Sequence, residues 1–128
     1  MVEQTRRIIL VVDDEPEITR MLQVMLEHHG YTVRRAHGTA QGMHILESEP
    51  PDLVLLDLMM PHLSGVELCG YIRRDPRTAK VPVIVYTAAN NDEVVRSAME
   101  AGATKFLSKT VDRAELIKAI DEALATQV

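Results

Sequence analysis

Five short apolar runs alternate along the chain with stretches in which apolar residues recur every three or four positions. Continuous apolar runs of this length are typical of strands in a parallel sheet that is covered on both faces. The intervening periodicity predicts amphipathic helices. We predict strands near residues 7–12, 32–36, 53–56, 83–87 and 105–108.

Local signals mark where the helices begin and end. The first helix has Pro16 in its first turn and Gly30 as its stop. The third begins at Ser64, which stands in capping-box spacing to Glu67, and it ends near residue 74. The other helices are predicted over about residues 39–49 and 91–101 and from Asp112 onward.

The alternation of strands and helices predicts an α/β open sheet with helices on both faces. The runs at 32–36 and 105–108 are the most polar, which suits the edges of a sheet. Edges at strands 2 and 5 match the flavodoxin-like order 2-1-3-4-5. In such a sheet the functional site lies beyond the carboxyl ends of the strands, where strands 1 and 3 diverge toward their helices.

Composition narrows the class of protein. With 128 residues, 46% hydrophobic and 26% charged, the chain is expected to form one domain over residues 1–128, with no output domain of its own. The net charge of −5 argues against direct nucleic-acid binding and against a membrane-surface role. The polar segment 1–7 shows no signal peptide, and no apolar run is long enough to cross a bilayer. The single cysteine, Cys69, fits a cytoplasmic location.

Polar residues stand where four of the predicted strands end. Asp13 and Asp14 follow strand 1, Asp57 follows strand 3, Thr87 ends strand 4 and Lys109 follows strand 5. Because the carboxyl ends of parallel strands meet at one edge of a sheet, we expect these side chains to share a site. Each residue alone has a simpler explanation, such as a helix cap for the acidic pair, but their coincidence at neighbouring strand ends does not.

Oxygen ligands without sulfur or imidazole favour a hard cation such as Mg²⁺, with Mn²⁺ as an alternative. Asp14 and Asp57 would supply carboxylates, Asp13 would orient a bound water, and the backbone carbonyl of Met59 would complete the shell. Asp57 is also the candidate nucleophile for a phosphoryl group. Lys109 would then neutralise charge on the transferring group, and the Thr87 hydroxyl would donate a hydrogen bond to it.

With these residues in these positions, the chain resembles the receiver domain of response regulators in two-component signalling. The resemblance covers nearly the whole chain. It is carried by the acidic segment Val11–Glu15, the segment Leu55–Pro61 with a glycine following it, the pair Thr87-Ala88, and Lys109. Phe106, three residues before Lys109, stands where the family has its switch aromatic residue. Each motif is weak alone, but all of them in order are specific.

The resemblance implies a phosphorylation switch. A histidine kinase or histidine phosphotransfer protein would pass a phosphoryl group to Asp57 with the help of Mg²⁺. Thr87 would move toward the phosphate and Phe106 would follow it, which would repack the surface of helix 4, strand 5 and helix 5. That surface would control a partner or an output domain, and it could support a homodimer. Such a protein is not a conventional enzyme, although it assists its own phosphorylation and dephosphorylation at Asp57.

One departure from the family pattern keeps an alternative open. Thr110 follows Lys109, whereas the family usually has a proline there, preceded by a cis peptide bond. We nevertheless predict that Lys109 points at Asp57. The alternative is a phosphorylation-independent protein-interaction module on the same fold. A phosphatase with an aspartate nucleophile would need a second aspartate where Met59 stands.

Overall fold

Strands and helices alternate strictly along the chain. The computed structural model describes residues 6–59, 65–88 and 91–125, and within these ranges five strands alternate with five helices. The strands are β1 (Ile8–Val12), β2 (Thr32–Ala36), β3 (Leu53–Leu56), β4 (Val83–Thr87) and β5 (Lys105–Ser108). The helices are α1 (Pro16–His28), α2 (Thr39–Ser48), α3 (Gly65–Arg74), α4 (Asp92–Glu100) and α5 (Arg113–Ala125).

The strands form one parallel sheet in the order β2-β1-β3-β4-β5, which confirms the predicted flavodoxin-like topology. Val12, the last residue of β1, is in register with Ala36 of β2 and with Leu56 of β3. The three strands therefore end at the same level of the sheet. The residues that follow β1 and β3 are side by side as a direct result.

The apolar residues of the strands divide into two cores, one on each face of the sheet. Successive side chains of a strand point to opposite faces. Ile9 and Val11 therefore face the helices α1 and α5, whereas Leu10 and Val12 face the other side. The first core includes Leu22, Leu26, Leu116 and Ile120 from α1 and α5, and the second includes Leu46, Leu68, Ile72 and Ala98 from α2, α3 and α4. Helices thus cover both faces, as predicted.

The predicted helix boundaries are confirmed wherever the structure describes them. Gly30 and Gly102 follow α1 and α4 with φ of 103° and 115°, a conformation that favours glycine over other residues. The Asp112 Oδ1 accepts a hydrogen bond of 2.8 Å from the backbone N–H of Glu115 at the start of α5. Ser64, the predicted start of α3, lies outside the described residues. In the part of the chain that is described, no helix has the length and apolarity needed to cross a bilayer.

Candidate functional site

The hydrogen bonding of the sheet continues one residue past the strands and fixes the backbone of the candidate site. The backbone N–H of Asp57 donates to Val12 O at 2.9 Å, and that of Asp13 donates to Ala36 O at 3.0 Å. The N–H of Lys109 donates to Thr87 O, also at 3.0 Å. The topology therefore delivers the two acids and the lysine to one edge of the sheet in a defined register.

Both carboxylate oxygens of Asp57 have hydrogen-bond donors. Oδ1 accepts from the Thr87 hydroxyl at 2.7 Å and from the backbone N–H of Met59 at 3.0 Å. Oδ2 accepts from Lys109 Nζ at 3.1 Å. Asp57 is only 3% exposed, so these contacts hold a nearly buried carboxylate in one orientation. Met59 is 60% exposed, and it contacts the Asp57 carboxylate through its backbone N–H.

The ammonium of Lys109 contacts three carboxylates at once. Its Nζ lies 2.7 Å from Asp13 Oδ2, 3.1 Å from Asp57 Oδ2 and 3.4 Å from Glu15 Oε1. Burial of the ammonium tends to lower its pKa, but the hydrogen bonds to Asp13 and Asp57 outweigh that effect and raise the pKa of Lys109 above its ordinary value. Lys109 is therefore charged throughout the physiological pH range.

The peptide bond that joins Lys109 to Thr110 is trans, since the described residues contain no cis bond. The loop is closed locally by the Ser108 and Thr110 hydroxyls, which lie 2.8 Å apart. The ammonium reaches Asp57 in this conformation. The departure from the family pattern at residue 110 does not turn the lysine away from the acids.

Burial changes the acidity of Asp13. Its side chain is almost fully buried, and burial raises the pKa of Asp13 above its ordinary value of 3.8. The hydrogen bonds from Lys109 and from the backbone N–H of Glu15 oppose that shift, and the charge of Asp57 adds to it. A second cation beside Lys109 would stabilise the ionised carboxylate of Asp13.

Four carboxylates converge on the same point. One oxygen each of Asp13, Asp14, Glu15 and Asp57 lies within 4.8 Å of the others. Three of these residues were predicted, and Glu15 was not. Its signal in the sequence is its place directly after the acidic pair, within the segment Val11–Glu15. A set of hard oxygen donors with this spacing fits a small divalent cation.

Two further residues frame the site. Gly65 is the first residue of α3 and packs against the backbone of Asp57. A Cβ at that position would lie 3.0 Å from Asp57 O. A side chain at this position would therefore force the backbone at Asp57 to shift. Phe106 lies in β5 in register with Val85, is half-buried, and packs against the core formed with α2, α3 and α4. The structure places Phe106 on the strand that leads to Lys109, whereas its switch role stays a prediction.

Comparison with known proteins agrees with this arrangement. The sequence profile of the family described as response regulator receiver domain matches residues 9–121. The chain belongs to this family, and as a receiver domain of two-component signal transduction it is a phosphorylation-controlled switch rather than a conventional enzyme.

Individual relatives show how much of each protein the chain covers. Protein PilH of Pseudomonas aeruginosa is 36% identical over 117 residues, which are 91% of this chain and 97% of PilH. The phosphate regulon transcriptional regulatory protein PhoB of the same organism is 36% identical over 116 residues, which are 91% of this chain and 51% of PhoB. The CheY-like receiver domain from Methanospirillum hungatei superimposes with a TM-score of 0.91 at 28% identity, covering 96% of this chain and 97% of that domain. The chain is therefore similar to a nearly entire PilH and to about half of PhoB.

Proposed function

We propose that Asp57 accepts a phosphoryl group from a phosphohistidine of a histidine kinase or histidine phosphotransfer protein. The observation that carries this proposal is the set of donors around the Asp57 carboxylate. A hydroxyl at 2.7 Å and an ammonium at 3.1 Å lie on its two oxygens, at the places where the oxygens of a transferred phosphoryl group need partners. Response regulators as a class are partnered by histidine kinases, and PhoB is named as a transcriptional regulator.

The transfer needs little rearrangement of these side chains. A carboxylate oxygen of Asp57 attacks phosphorus, the bond from phosphorus to the imidazole nitrogen breaks, and the imidazole leaves with the electron pair. The product is an acyl phosphate. Thr87 already lies within hydrogen-bond distance of the carboxylate, so its hydroxyl can follow the new phosphoryl oxygens with a small displacement. Lys109 supplies a fixed positive charge on the opposite oxygen.

The oxygen-only donor set favours Mg²⁺ at the acidic cluster, with Mn²⁺ as the alternative. Asp14 and Asp57 would bind the ion directly, Asp13 would hold one of its waters, and the Met59 carbonyl would be a further ligand. When bound, Mg²⁺ neutralises charge on the transferring phosphoryl group.

The expected response is a repacking of α4, β5 and α5. Thr87 ends β4 and pairs in register with Ser108, two residues from Phe106. Movement of the Thr87 hydroxyl toward a phosphoryl group would therefore change the space beside the half-buried Phe106. Among the residues of α4, only Ala98 is buried, so this helix is weakly held and can shift at low cost. A partner, an output domain or a second copy of the chain would bind the changed surface.

A groove between α1 and α5 supports docking of the phosphodonor. The groove has a volume of about 660 Å³, and its apolar lining comes from Met21, Val24 and Met25 of α1 and from Ile117 of α5. Val24 of α1 is 65% exposed there, and Met21 is 38% exposed. Polar and charged side chains also line it, namely Glu17, Arg20, His28, His29 and Arg113. The acidic segment directly precedes α1. A helical protein that binds this groove would therefore lie beside the site that contains Asp57.

The test is incubation with Mg²⁺ and phosphoramidate, followed by intact mass measurement. The wild type should gain one phosphoryl group and Asp57→Asn should gain none. Asp92→Asn, which alters an exposed acid in the first turn of α4, should react like the wild type. If the wild type, like Asp57→Asn, gains no phosphoryl group, the phosphorylation-independent interaction module is the better description, and if both gain one, Asp57 is not the acceptor.

A further inference from the structure

Glu15 has a contact that the proposed mechanism does not use. Its backbone is held firmly, because its N–H donates to Asp13 Oδ1 at 2.9 Å and its carbonyl accepts from Ile18 N and Thr19 N at the start of α1. Its side chain, by contrast, is 62% exposed and reaches across the site to Lys109 Nζ at 3.4 Å. A fixed backbone with an exposed carboxylate places a negative charge at the solvent side of the site.

The ammonium of Lys109 has three N–H donors and contacts three carboxylates. To bind a transferring phosphoryl group, Lys109 must give up one of these contacts. The contact to Glu15 is the longest of the three and the most exposed, so it is the weakest and is exchanged first. Until it is exchanged, Glu15 and the phosphoryl group compete for the same N–H.

The negative charge of Glu15 also opposes binding of a phosphoryl group. Its carboxylate lies within 4.8 Å of the other acidic oxygens, so it repels any anion that approaches Asp57. The same charge attracts a divalent cation to the cluster. Glu15 thus has opposite effects on the two ligands of the site.

We propose that Glu15 is a positioning residue that competes with the phosphoryl group for Lys109, and so slows transfer from small anionic phosphodonors while it strengthens cation binding. This inference rests on the proposed function of Asp57. It assigns to Glu15 a role in the choice of phosphodonor, since a free dianionic donor meets the full repulsion. A protein donor that docks on α1 and α5 has additional contacts to offset it.

The test compares Glu15→Gln with the wild type and with Glu17→Gln. Glutamine keeps the size of the side chain and removes its charge. Glu17, in the first turn of the same helix and exposed, is the matched control for loss of one negative charge. Two quantities are measured: the rate of phosphorylation by acetyl phosphate at saturating Mg²⁺, and the dissociation constant of Mg²⁺ by calorimetry without a phosphodonor.

We expect Glu15→Gln to react about three- to fivefold faster and to bind Mg²⁺ about three- to fivefold more weakly. A unit charge and a doubly charged ion about 5 Å apart in water would give an effect of about sixteenfold without screening, and screening at an ionic strength of about 0.15 M reduces it to about three- to fivefold. Both effects should shrink toward an ionic strength of about 1 M, where the Debye length is about 3 Å. Damage to the fold would instead lower both the rate and the affinity. Glu17→Gln should match the wild type in both assays.

A rate for Glu15→Gln equal to or below that of the wild type would overturn the inference, as would an equal acceleration in Glu17→Gln. In either case the wild type still reacts at Asp57, so the proposed function stands. Failure of the proposed function has a different signature, because the wild type itself would then gain no phosphoryl group.

Discussion

Among the described residues, Lys109 is the only cationic side chain in contact with the buried acids Asp13 and Asp57. Replacing it should therefore have a large effect on the free energy of unfolding. We consider Lys109→Met, which keeps most of the aliphatic side chain and removes the ammonium. Asp13 and Asp57, at 2% and 3% exposed, would then lie together without a positive charge. Their mutual repulsion and their burial would both oppose ionisation.

The magnitude follows from the distances. Opposite unit charges about 3 Å apart interact with about 5 kcal/mol at an effective dielectric constant of about 20. Removal of the ammonium also removes the cost of desolvating it, and the side chain of Lys109 is 14% exposed. We therefore expect a loss of about 3 kcal/mol in the free energy of unfolding at neutral pH, the lower end of the range for a broken buried ion pair.

The loss should depend on pH. The pKa of Asp13 already lies above 3.8, and removal of the ammonium would raise it further. An acid whose pKa is higher in the folded than in the unfolded state favours folding at low pH, and that contribution is lost as the pH rises through the folded-state pKa. The difference in stability between wild type and Lys109→Met should therefore shrink as the pH falls from about 7 toward about 4.

The assay is urea unfolding followed by far-ultraviolet circular dichroism in the presence of a chelator, since the chain has no tryptophan to report by fluorescence. Lys105→Met is the control, because it makes the same substitution at an exposed lysine of β5. The reasoning would be refuted by a loss for Lys109→Met within about 0.5 kcal/mol of the control, or by a difference between wild type and variant that does not change with pH.

Two further substitutions test the packing around the site. The Arg73 guanidinium donates to three backbone carbonyls in the segments that precede β4 and β5, at 2.6–3.2 Å, so Arg73→Met should lower the free energy of unfolding by about 2–3 kcal/mol. The exposed neighbour Arg74→Met should change it by less than about 0.5 kcal/mol, and equal losses in urea unfolding would contradict this assignment. Gly65→Ala should lower the melting temperature and slow phosphorylation, because its Cβ would press on Asp57 O at 3.0 Å. Gly70→Ala in the middle of α3 meets only the flexible end of Arg74 and should gain about 0.5–1 kcal/mol, so a melting temperature for Gly65→Ala at or above that of Gly70→Ala would be inconsistent with the close approach.

The sheet order was predictable because it depends on information that is local in the chain. Continuous apolar runs identified the strands, and the polar residues of β2 and β5 identified the edges. Parallel strands joined by helices have few alternative arrangements. The position of Asp13, Asp57, Thr87 and Lys109 at one edge followed from the ends of the runs alone.

The contacts within that edge depended on the tertiary structure. Which oxygen of Asp57 accepts from Thr87, and how Lys109 divides its N–H groups, are set by register and by side-chain packing across four strands. Glu15 and Lys109 are 94 positions apart, and Glu15 reads as an ordinary acid at the start of a helix until α1 and β5 are placed together. The Arg73 contacts to segments on either side of β4 are equally invisible in the sequence. Periodicity and residue type report which face of an element is buried, whereas a hydrogen bond between distant elements requires a distance that only the packed sheet defines.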